Sequence, residues 1–207
     1  MKKTTPKELF NYKAHAYADL FMDQSKFHEC LDLFLGNLKS EQPTVLDVGC
    51  GPGNIAKYLL DQNTKLQLTG IDIAPAMLQI AKNHCSAAHF IEMDAKNIDR
   101  IKDLFDGIVL GFCLPYLNKE EAIELVETAC KMLRENGSLY LSTMEDKNEN
   151  SKFQGPSSGK GPSLFINFHE EEYLTTAIAK GGLEIVKTAR LKDEASGNTD
   201  LVIVARK

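Results

Sequence analysis

The sequence has no long hydrophobic run. Its longest stretch without Asp, Glu, Lys or Arg extends from Gly107 to Asn118, whereas a membrane-spanning helix needs about 18 apolar residues. Near the N-terminus, Lys7, Glu8 and Lys13 interrupt what would have to be the apolar centre of a signal peptide. We therefore expect neither a transmembrane helix nor a secretory leader, and a cytoplasmic protein.

The sequence also lacks an excess of basic charge. Its 24 lysines and arginines are outnumbered by 29 acidic residues, which gives a formal net charge of -5 at pH 7. Nucleic acids and anionic membranes attract proteins that carry a concentrated basic surface, and the lysines here are scattered along the chain. Neither is therefore expected as the main partner.

The cysteines are widely spaced along the chain and show no ligand spacing. The five cysteines are Cys30, Cys50, Cys85, Cys113 and Cys130, with no Cys-x-x-Cys pair and no histidine at a ligand spacing. An odd number of widely spaced cysteines favours reduced, mostly buried thiols over disulfides or a metal site. We assign no catalytic role to the thiols of Cys50 and Cys113.

What is present is the composition of an ordinary folded protein. With 207 residues, 43% of them hydrophobic and 26% charged, the chain suits one domain over residues 1–207. Strand-like apolar runs lie at residues 44–48, 66–71, 89–93, 107–111 and 138–143, and helical patterns lie at residues 54–61, 75–84 and 119–134. Because parallel strands need crossover connections, this α/β alternation predicts a three-layer α/β/α Rossmann-like sandwich with a mostly parallel sheet.

The C-terminal part adds a helix and two strands. Asn118 with Glu121, and Asn167 with Glu170, form capping pairs at the starts of the helix before Gly137 and of a last helix at about 169–180. Two strand patterns follow, at 183–191 and 199–205, and the turn between them is too short for a crossover helix. They predict an antiparallel C-terminal hairpin that completes a seven-stranded sheet.

Two segments are candidates to cover a site. Apolar residues recur at helical spacing from residue 6 to 38, which predicts two helices broken near residues 23–25 and an N-terminal helical cover over residues 1–40. Residues 146–163 are rich in Gly, Ser, Pro and Lys and predict a long loop. Its length favours a lid over the substrate; an idle surface loop is the alternative.

The strongest functional signal is the glycine-rich turn after the first predicted strand. It reads Asp47-Val48-Gly49-Cys50-Gly51-Pro52-Gly53-Asn54. Glycines let a ligand lie on the backbone, where free amides and the N-terminus of the next helix can donate hydrogen bonds. Asn54 stands where a dinucleotide fingerprint has Gly or Ala, and Asp47 would repel a pyrophosphate. The turn therefore favours a cationic or zwitterionic ligand.

Two more acids end the next predicted strands. Asp72 is suited to accept hydrogen bonds from both hydroxyls of a ribose, and Asp94 from an exocyclic amino group such as that of adenine. Ile73 and Met77 supply flat apolar walls beside them. Together with Asp47, these residues predict a nucleoside site across the carboxyl edge of the sheet.

These motifs in this order resemble the class I S-adenosylmethionine-dependent methyltransferases, most of all their small-molecule branch. The glycine turn, Asp72, the pair Asp94-Ala95 and the segment 105–112 match motifs of that family, and the resemblance covers nearly the whole chain. It implies S-adenosyl-L-methionine as the cofactor. It also implies the following contacts: the methionine part with Asp47 and the backbone of Gly49, Cys50 and Gly51; the ribose with Asp72; the adenine with Asp94 and Ala95; and the sulfonium with Phe112.

Four other residues are candidates to cover the cofactor or substrate: Tyr12, Tyr17, Tyr116 and His169. Related enzymes use N-terminal helices as a cover, so one or both of Tyr12 and Tyr17 can turn toward the cofactor. Tyr116 follows the fourth strand, where packing alone is an equal alternative. His169 lies near the start of the last predicted helix, where a solvent-facing histidine is the alternative.

The sequence as a whole predicts methyl transfer from S-adenosylmethionine to a small-molecule acceptor by in-line displacement. An activated sulfonium methyl needs mainly positioning and exclusion of water, and no residue is identified as a general base. The alternatives are a non-catalytic module that binds S-adenosylmethionine and, with less support, an NAD-dependent oxidoreductase. The acceptor is not predicted.

Overall fold

The apolar runs become strands in the computed structural model, which describes residues 3–155, 162–192 and 197–207. The strands are β1 Thr44–Val48, β2 Gln67–Asp72, β3 His89–Glu92, β4 Phe105–Gly111, β5 Leu133–Glu145, β6 Lys152–Gln154, β7 Leu164–Ile166, β8 Glu184–Lys192 and β9 Thr199–Arg206. Seven of them form one sheet in the order β3-β2-β1-β4-β5-β9-β8, and β6 pairs with β7 in a separate hairpin.

The large sheet is parallel from β3 to β5, and β9 runs antiparallel to both of its neighbours, β5 and β8. The predicted fold class, including the antiparallel C-terminal hairpin, is confirmed. The chain proceeds from β1 to one side of the sheet and returns to β4 on the other side. In open α/β sheets, such a reversal leaves a crevice at the carboxyl ends of the strands, where ligands bind.

Within the described ranges, six α-helices accompany the sheet: α1 Pro6–Phe21, α2 His28–Asn37, α3 Asn54–Gln62, α4 Pro75–His84, α5 Lys119–Met132 and α6 Glu171–Lys180. Alternate residues of β1 point to opposite faces. Val45 packs into the core beneath α2, α3 and α4, whereas Leu46 packs into the core beneath α5 and α6. Asp47 therefore shares the face of Val45, and both faces of the sheet are buried.

Two helix boundaries differ from the sequence prediction. The capping pair of Asn118 and Glu121 is present, but α5 ends at Met132 because Leu133 already pairs with Phe105 of β4. The capping role of Asn167 is wrong: α6 has Glu170 at its N-cap, with no side-chain cap hydrogen bond. Asn167 instead donates its backbone N–H to the carbonyl oxygen of Pro115 at 2.9 Å.

Helix α1 lies across α4 at the carboxyl edge of the sheet. Its small residues Ala14 and Ala18 pack against Met77 in a separate apolar cluster. Two polar contacts hold the same helix: Asn11 Oδ1 accepts the backbone N–H of Ala76 at 2.9 Å, and Lys7 forms a 2.7 Å ion pair with Glu92. A short 3-10 turn, Ser25–Phe27, then leads into α2, as the predicted break requires.

The segment predicted as a long loop contains the strand β6, which pairs with β7. Residues 156–161 of this segment lie outside the described residues, so the lid hypothesis falls partly outside them as well. The predicted turn of the C-terminal hairpin lies partly outside them too, at residues 193–196. No helix within the described ranges has the length and apolar character needed to cross a bilayer.

Candidate functional site

The glycine turn connects β1 to α3 in a backbone conformation that glycine adopts most easily. Gly49, Gly51 and Gly53 have φ values of +70°, +53° and +83°, in the left-handed region that costs free energy for other residues. A Cβ on Gly49 would also lie 2.7 Å from Cβ of Cys113. The turn thus needs glycine at its first position for both reasons, and it leaves its backbone bare toward the carboxyl edge.

The amides of this turn are already used inside the protein. Gly49 and Cys50 donate their N–H groups to the carbonyl oxygen of Ile71 at 2.8 and 2.9 Å. Gly51 donates its N–H to Asp72 Oδ2 at 2.9 Å. The expectation of free amides is therefore wrong, because these bonds fasten the turn to β2. The carbonyl oxygens of Cys50 and Gly53 already accept the N–H groups of Gly53 and Lys57. A carbonyl oxygen has two lone pairs, so the carbonyl groups of the turn keep capacity for hydrogen-bond donors and cations.

Asp47 is a buried acid at the carboxyl end of β1. Only 1% of the residue is exposed, and its Oδ2 has no hydrogen-bond partner among the described residues. Burial, and then the nearby charge of Asp72, raise the pKa of Asp47 to about 7. A buried carboxylate oxygen without a partner is costly unless a donor or cation reaches it, so the site fits the ammonium group of an amino-acid ligand.

Asp72 stands beside the turn at the end of β2. Besides Gly51, the N–H of Ala74 donates to its carboxylate, at 2.8 Å to Oδ1. Burial raises the pKa of Asp72, while the hydrogen bonds from Ala74 and Gly51 lower it. Each carboxylate oxygen has two lone pairs, so both oxygens keep capacity for hydroxyl donors. Two acceptor oxygens side by side fit the two hydroxyl donors of a ribose.

Asp94 follows β3 and serves also as a cap. Its Oδ1 accepts the backbone N–H of Lys96 at 3.0 Å, at the start of the 3-10 turn Ala95–Arg100. This bond fixes the side chain at the edge of a cavity that it lines. The three predicted acids therefore lie at the ends of three adjacent strands, as the sequence interpretation requires.

A first cavity, with about 910 Å³ of free space partly open to solvent, joins these residues. Its lining is Pro6, Phe10, Tyr17, Gly49, Gly51, Asp72, Ile73, Met77, Met93, Asp94, Ala95, Lys96, Gly111, Phe112, Cys113, Tyr116 and Leu117. Most predicted cofactor residues lie here, and Asp47 and Cys50 line the neighbouring cavity. Sequence reasoning missed Phe10 and Lys96. The helical spacing that placed Tyr17 on α1 was the signal available for Phe10.

Aromatic rings close the first cavity from the side of α1. The ring of Phe10 lies 5.5 Å from that of Tyr17 and 5.0 Å from that of Tyr116, edge to face in both pairs. Burial raises the pKa of Tyr17 to about 12 and raises that of Tyr116 as well. Both phenols therefore stay protonated at neutral pH, where they can donate hydrogen bonds.

A second cavity adjoins the first, and the two share Tyr17, Gly49, Gly51, Gly111, Phe112 and Tyr116. The remaining lining is Phe21, Asp23, Gln24, Lys26, Phe27, Asp47, Cys50, Asn54, Ile55, Pro115, Met144 and Asp200, around about 1130 Å³ of free space. Lys26 forms a 2.7 Å ion pair with the largely buried Asp200 on its wall. Sequence reasoning missed this pair.

Phe112 stands between the two cavities in a strained conformation. Its φ is +52°, which is uncommon for an aromatic residue and is found at functional sites. Its N–H donates to the carbonyl oxygen of Ser142 at 2.9 Å, and its ring contacts Phe27 with centroids 5.5 Å apart. Phe112 thus lines both cavities, and its backbone is fixed by the hydrogen bond to Ser142.

Two of the predicted covering residues lie elsewhere. Tyr12 points away from α4 and is 78% exposed, because it lies on the outer side of α1. His169 is fully buried; its Nε2 lies 2.8 Å from the carbonyl oxygen of Leu114 and its Nδ1 2.6 Å from the hydroxyl of Tyr173. It lines neither cavity, so neither residue covers the site in this structure.

The cysteine predictions agree with the structure. All five cysteines are free and buried, and two of them, Cys50 and Cys113, line the cavities. Burial is the main cause that raises the pKa of both thiols. A raised pKa keeps a thiol protonated and unreactive.

Solved structures with the same fold are numerous. The N-methyltransferase NodS from Bradyrhizobium japonicum, solved with S-adenosyl-L-homocysteine, is 17% identical with a TM-score of 0.74, and the match covers 99% of each chain. The 1,6-didemethyltoxoflavin-N1-methyltransferase of Burkholderia thailandensis is 20% identical with a TM-score of 0.72, over 97% of this chain and 86% of that one. These likenesses concern the fold.

A family model matches part of the sequence. Residues 45–137 match the family model described as a methyltransferase domain, a segment that runs from β1 and the glycine turn past Asp72 and Asp94 to the start of β5. The match covers less than half of the chain, and over it the chain is similar to methyltransferases. Among proteins of this fold, the fold does not determine the reaction: the [4+2]-cyclase SpnF is similar at a TM-score of 0.65 and 17% identity, over 86% of this chain and 80% of its own.

Curated relatives of this chain are named for different acceptors. A malonyl-[acyl-carrier protein] O-methyltransferase from a Paenibacillus species is 27% identical over 64% of this chain and 44% of its own length. The demethylmenaquinone methyltransferase of Thermotoga maritima is 26% identical over 65% of this chain and 61% of its own. The chain thus spans about half the length of such relatives.

Proposed function

We propose that the protein binds S-adenosyl-L-methionine and transfers its methyl group to a small-molecule acceptor. The observation that carries this proposal is the row of acids Asp47, Asp72 and Asp94 at three adjacent strand ends, facing two joined cavities. The unpartnered oxygen of Asp47 offers a site for a cation at the place where a dinucleotide would bring a pyrophosphate. This argues for a sulfonium nucleoside and against NAD.

In this proposal the cofactor lies across both cavities. The side chain of Asp47 and the carbonyl groups of the glycine turn take the methionine part, since the amides of that turn are engaged with Ile71 and Asp72. Asp72 takes the ribose hydroxyls. Asp94 and Ala95 take the adenine, beside the apolar walls of the first cavity.

In this proposal the protein mainly positions the cofactor and the acceptor and excludes water from them. When bound, S-adenosylmethionine supplies a methyl group that is already activated by the positive sulfur. Phe112 and Tyr116 border both cavities and hold the reacting groups in line, and orientation of this kind lowers a barrier by up to about 7 to 11 kcal/mol. No histidine occurs among the described residues that line the two cavities.

We also propose that α1 and the turn after it form the cover of this site, as the first part of one domain over residues 1–207. The support is the ring contact of Phe10 with Tyr116 and the hydrogen bond from Asn54 Nδ2 to the carbonyl oxygen of Phe21 at 3.0 Å. Both join α1 to elements that line the cavities. The segment 146–163 stays a hypothesis for a lid over the acceptor.

The first test is calorimetric titration of the purified protein with S-adenosylmethionine, S-adenosylhomocysteine and NAD. Micromolar affinity for the two sulfur nucleosides and none for NAD supports the proposal, whereas the reverse order overturns it. Asp94→Ser keeps a capping hydroxyl, but serine is too short to reach an adenine. The substitution should therefore lower the affinity for both sulfur nucleosides about tenfold. Asp99→Ser, on the exposed side of the same turn, is the matched control.

Turnover separates an enzyme from a module that only binds. Formation of S-adenosylhomocysteine is followed with a broad panel of small acceptors, and the product is identified by a mass increase of one methyl group. Turnover of any acceptor above the rate without acceptor supports the enzyme. Tight cofactor binding with no turnover across the panel favours the non-catalytic module.

A further inference from the structure

The second cavity contains polar and aromatic groups that the cofactor contacts leave unused. On the far side of Phe112, its wall carries the aromatic rings of Phe21 and Phe27 and the thioether of Met144. Asp200 of β9 lines the same wall, 7% exposed, and pairs with Lys26 at 2.7 Å. If the cofactor occupies the first cavity and the part of the second around Asp47, the space beside Phe112 is left for the acceptor.

The electrostatic potential around this acceptor space is negative, because acids outnumber bases in the lining. The charged residues among the described lining of the two cavities are Asp23, Asp47, Asp72, Asp94 and Asp200, against Lys26 and Lys96. Lys26 pairs with Asp200, and Lys96 forms a 3.0 Å ion pair with Glu121 outside the lining, so the lining keeps an excess of acids. Asp23 stays ionised, because the backbone N–H of Ser25 lowers its pKa.

Given the proposed function, we propose that the acceptor is an amine bound between the aromatic rings of the second cavity with its nitrogen directed toward Asp200. A carboxylate or phosphate acceptor would add negative charge to a space where Asp23 and Asp200 outnumber the one described base, Lys26. A cationic or neutral amine meets aromatic faces and a carboxylate, the two groups that attract ammonium ions in proteins.

The charge balance of the reaction favours the same class. The lone pair of the neutral amine nitrogen forms the new bond to the methyl carbon while the methyl–sulfur bond breaks and its electron pair stays on sulfur. Positive charge thereby moves from sulfur to nitrogen, and the nitrogen then releases a proton to solvent. Carboxylates placed where positive charge develops stabilise that transition state.

The test compares matched acceptors in the same assay. A panel of arylalkylamines and the carboxylic acids of the same carbon skeletons is offered with S-adenosylmethionine, and S-adenosylhomocysteine formation is measured. We expect a kcat/KM for the preferred amine at least about 100-fold above that of its acid counterpart. Faster methylation of the acids overturns the proposal, as does a complete lack of amine turnover and of amine binding to the protein loaded with S-adenosylhomocysteine.

Two variants separate recognition by Asp200 from a structural role of its ion pair. Asp200→Asn should raise the KM for the amine about tenfold, whereas Lys26→Met removes a competing cation beside Asp200 and should lower that KM. If the pair only holds the fold, both variants impair turnover alike, and the proposal fails. Asp103→Asn, in an exposed loop, is the control for loss of one acid.

The same samples distinguish this proposal from the proposed function. The affinity for S-adenosylhomocysteine is measured on each variant before the acceptor assay. Its absence in the unmodified protein contradicts the cofactor assignment itself. Its presence, together with a preference for acids, contradicts only the amine.

Discussion

Asp72 Oδ2 accepts the backbone N–H of Gly51 at 2.9 Å, so the acid at the end of β2 fastens the turn that follows β1. The same carboxylate receives the N–H of Ala74 at the start of α4. Asp72 thus joins three elements at the point where the sheet order reverses, and the proposed contact with a ribose falls on the same side chain.

Replacement of Asp72 by alanine should therefore affect both affinity and stability. Two backbone N–H groups lose their acceptor, which costs about 1 to 3 kcal/mol of the free energy of unfolding. Loss of both ribose hydrogen bonds should lower the affinity for S-adenosylhomocysteine about 100-fold or more. Calorimetry and urea unfolding measure the two effects. Asp61→Ala removes only an exposed helical ion pair with Lys57, and should change neither by more than about 0.5 kcal/mol. Unchanged affinity in Asp72→Ala would refute the ribose contact.

Asp47 predicts an unusual dependence of stability on pH. Its pKa is about 7 in the folded protein, against an ordinary value of 3.8, so between pH 4 and 7 the folded state holds a proton that the unfolded state has released. The free energy of unfolding then falls as pH rises, by about 2 to 3 kcal/mol between pH 5 and 8 from this group. Asp47→Asn should lack this part of the decline, which is measured as the difference in the free energy of unfolding by urea at pH 5 and pH 8.

The same variant should bind the cofactor less well. Asparagine keeps the shape of the side chain but offers a cationic group no negative charge, so the affinity for S-adenosylmethionine should drop by about tenfold or more at pH 8. In the unmodified protein that affinity should increase as pH rises through 7, because the ionised carboxylate is the form that binds. An affinity independent of both the substitution and the pH would show that Asp47 does not face the cofactor.

Most of the site was predictable from the sequence, since its acids follow strands that a local pattern reveals. Asp72 and Asp94 each come directly after a short apolar run, and parallel strands bring their carboxyl ends to one edge. The pair of Lys26 and Asp200 was not predictable, because 174 positions separate its members. Those two residues meet only when the 3-10 turn before α2 reaches β9, and no local spacing records this.

His169 is a second residue whose environment local sequence patterns did not predict. Its position near a predicted helix start indicated a solvent-facing or covering side chain, but the acceptor of its ring nitrogen is the carbonyl oxygen of Leu114, 55 positions away. Burial lowers the pKa of His169 from its ordinary value of 6.5. The folded state therefore keeps the ring neutral where the unfolded chain would bind a proton.

A histidine of this kind makes the protein less stable in acid. As pH falls below 6.5, the unfolded state binds the proton more readily, so the free energy of unfolding decreases. His169→Gln should remove this acid-sensitive part, seen as a smaller loss of stability between pH 7 and pH 5.5. Affinity for S-adenosylhomocysteine should stay within about twofold, because the ring lines neither cavity. The exposed His15, replaced in the same way, should leave both quantities unchanged.

Helix α1 offers two tyrosines that separate a cover from an ordinary surface helix. Tyr17 lines both cavities and contacts the rings of Phe10 and Phe21, whereas Tyr12 on the same helix is 78% exposed. Truncation of Tyr17 to alanine opens the space above the cofactor and removes apolar contact worth about 1.5 to 3 kcal/mol. If α1 is the cover, S-adenosylhomocysteine should dissociate at least about tenfold faster from Tyr17→Ala.

S-adenosylhomocysteine should dissociate from Tyr12→Ala at the unmodified rate, since the ring of Tyr12 lines neither cavity. Stopped-flow displacement of a fluorescent cofactor analogue measures these rates, and urea unfolding checks that both variants are folded. Equal dissociation rates for the two variants would mean that α1 packs on α4 without controlling access. A faster rate confined to Tyr17→Ala would instead mean that the cofactor leaves past the rings of Phe10, Tyr17 and Tyr116, so that opening of α1 precedes each exchange of product for new cofactor.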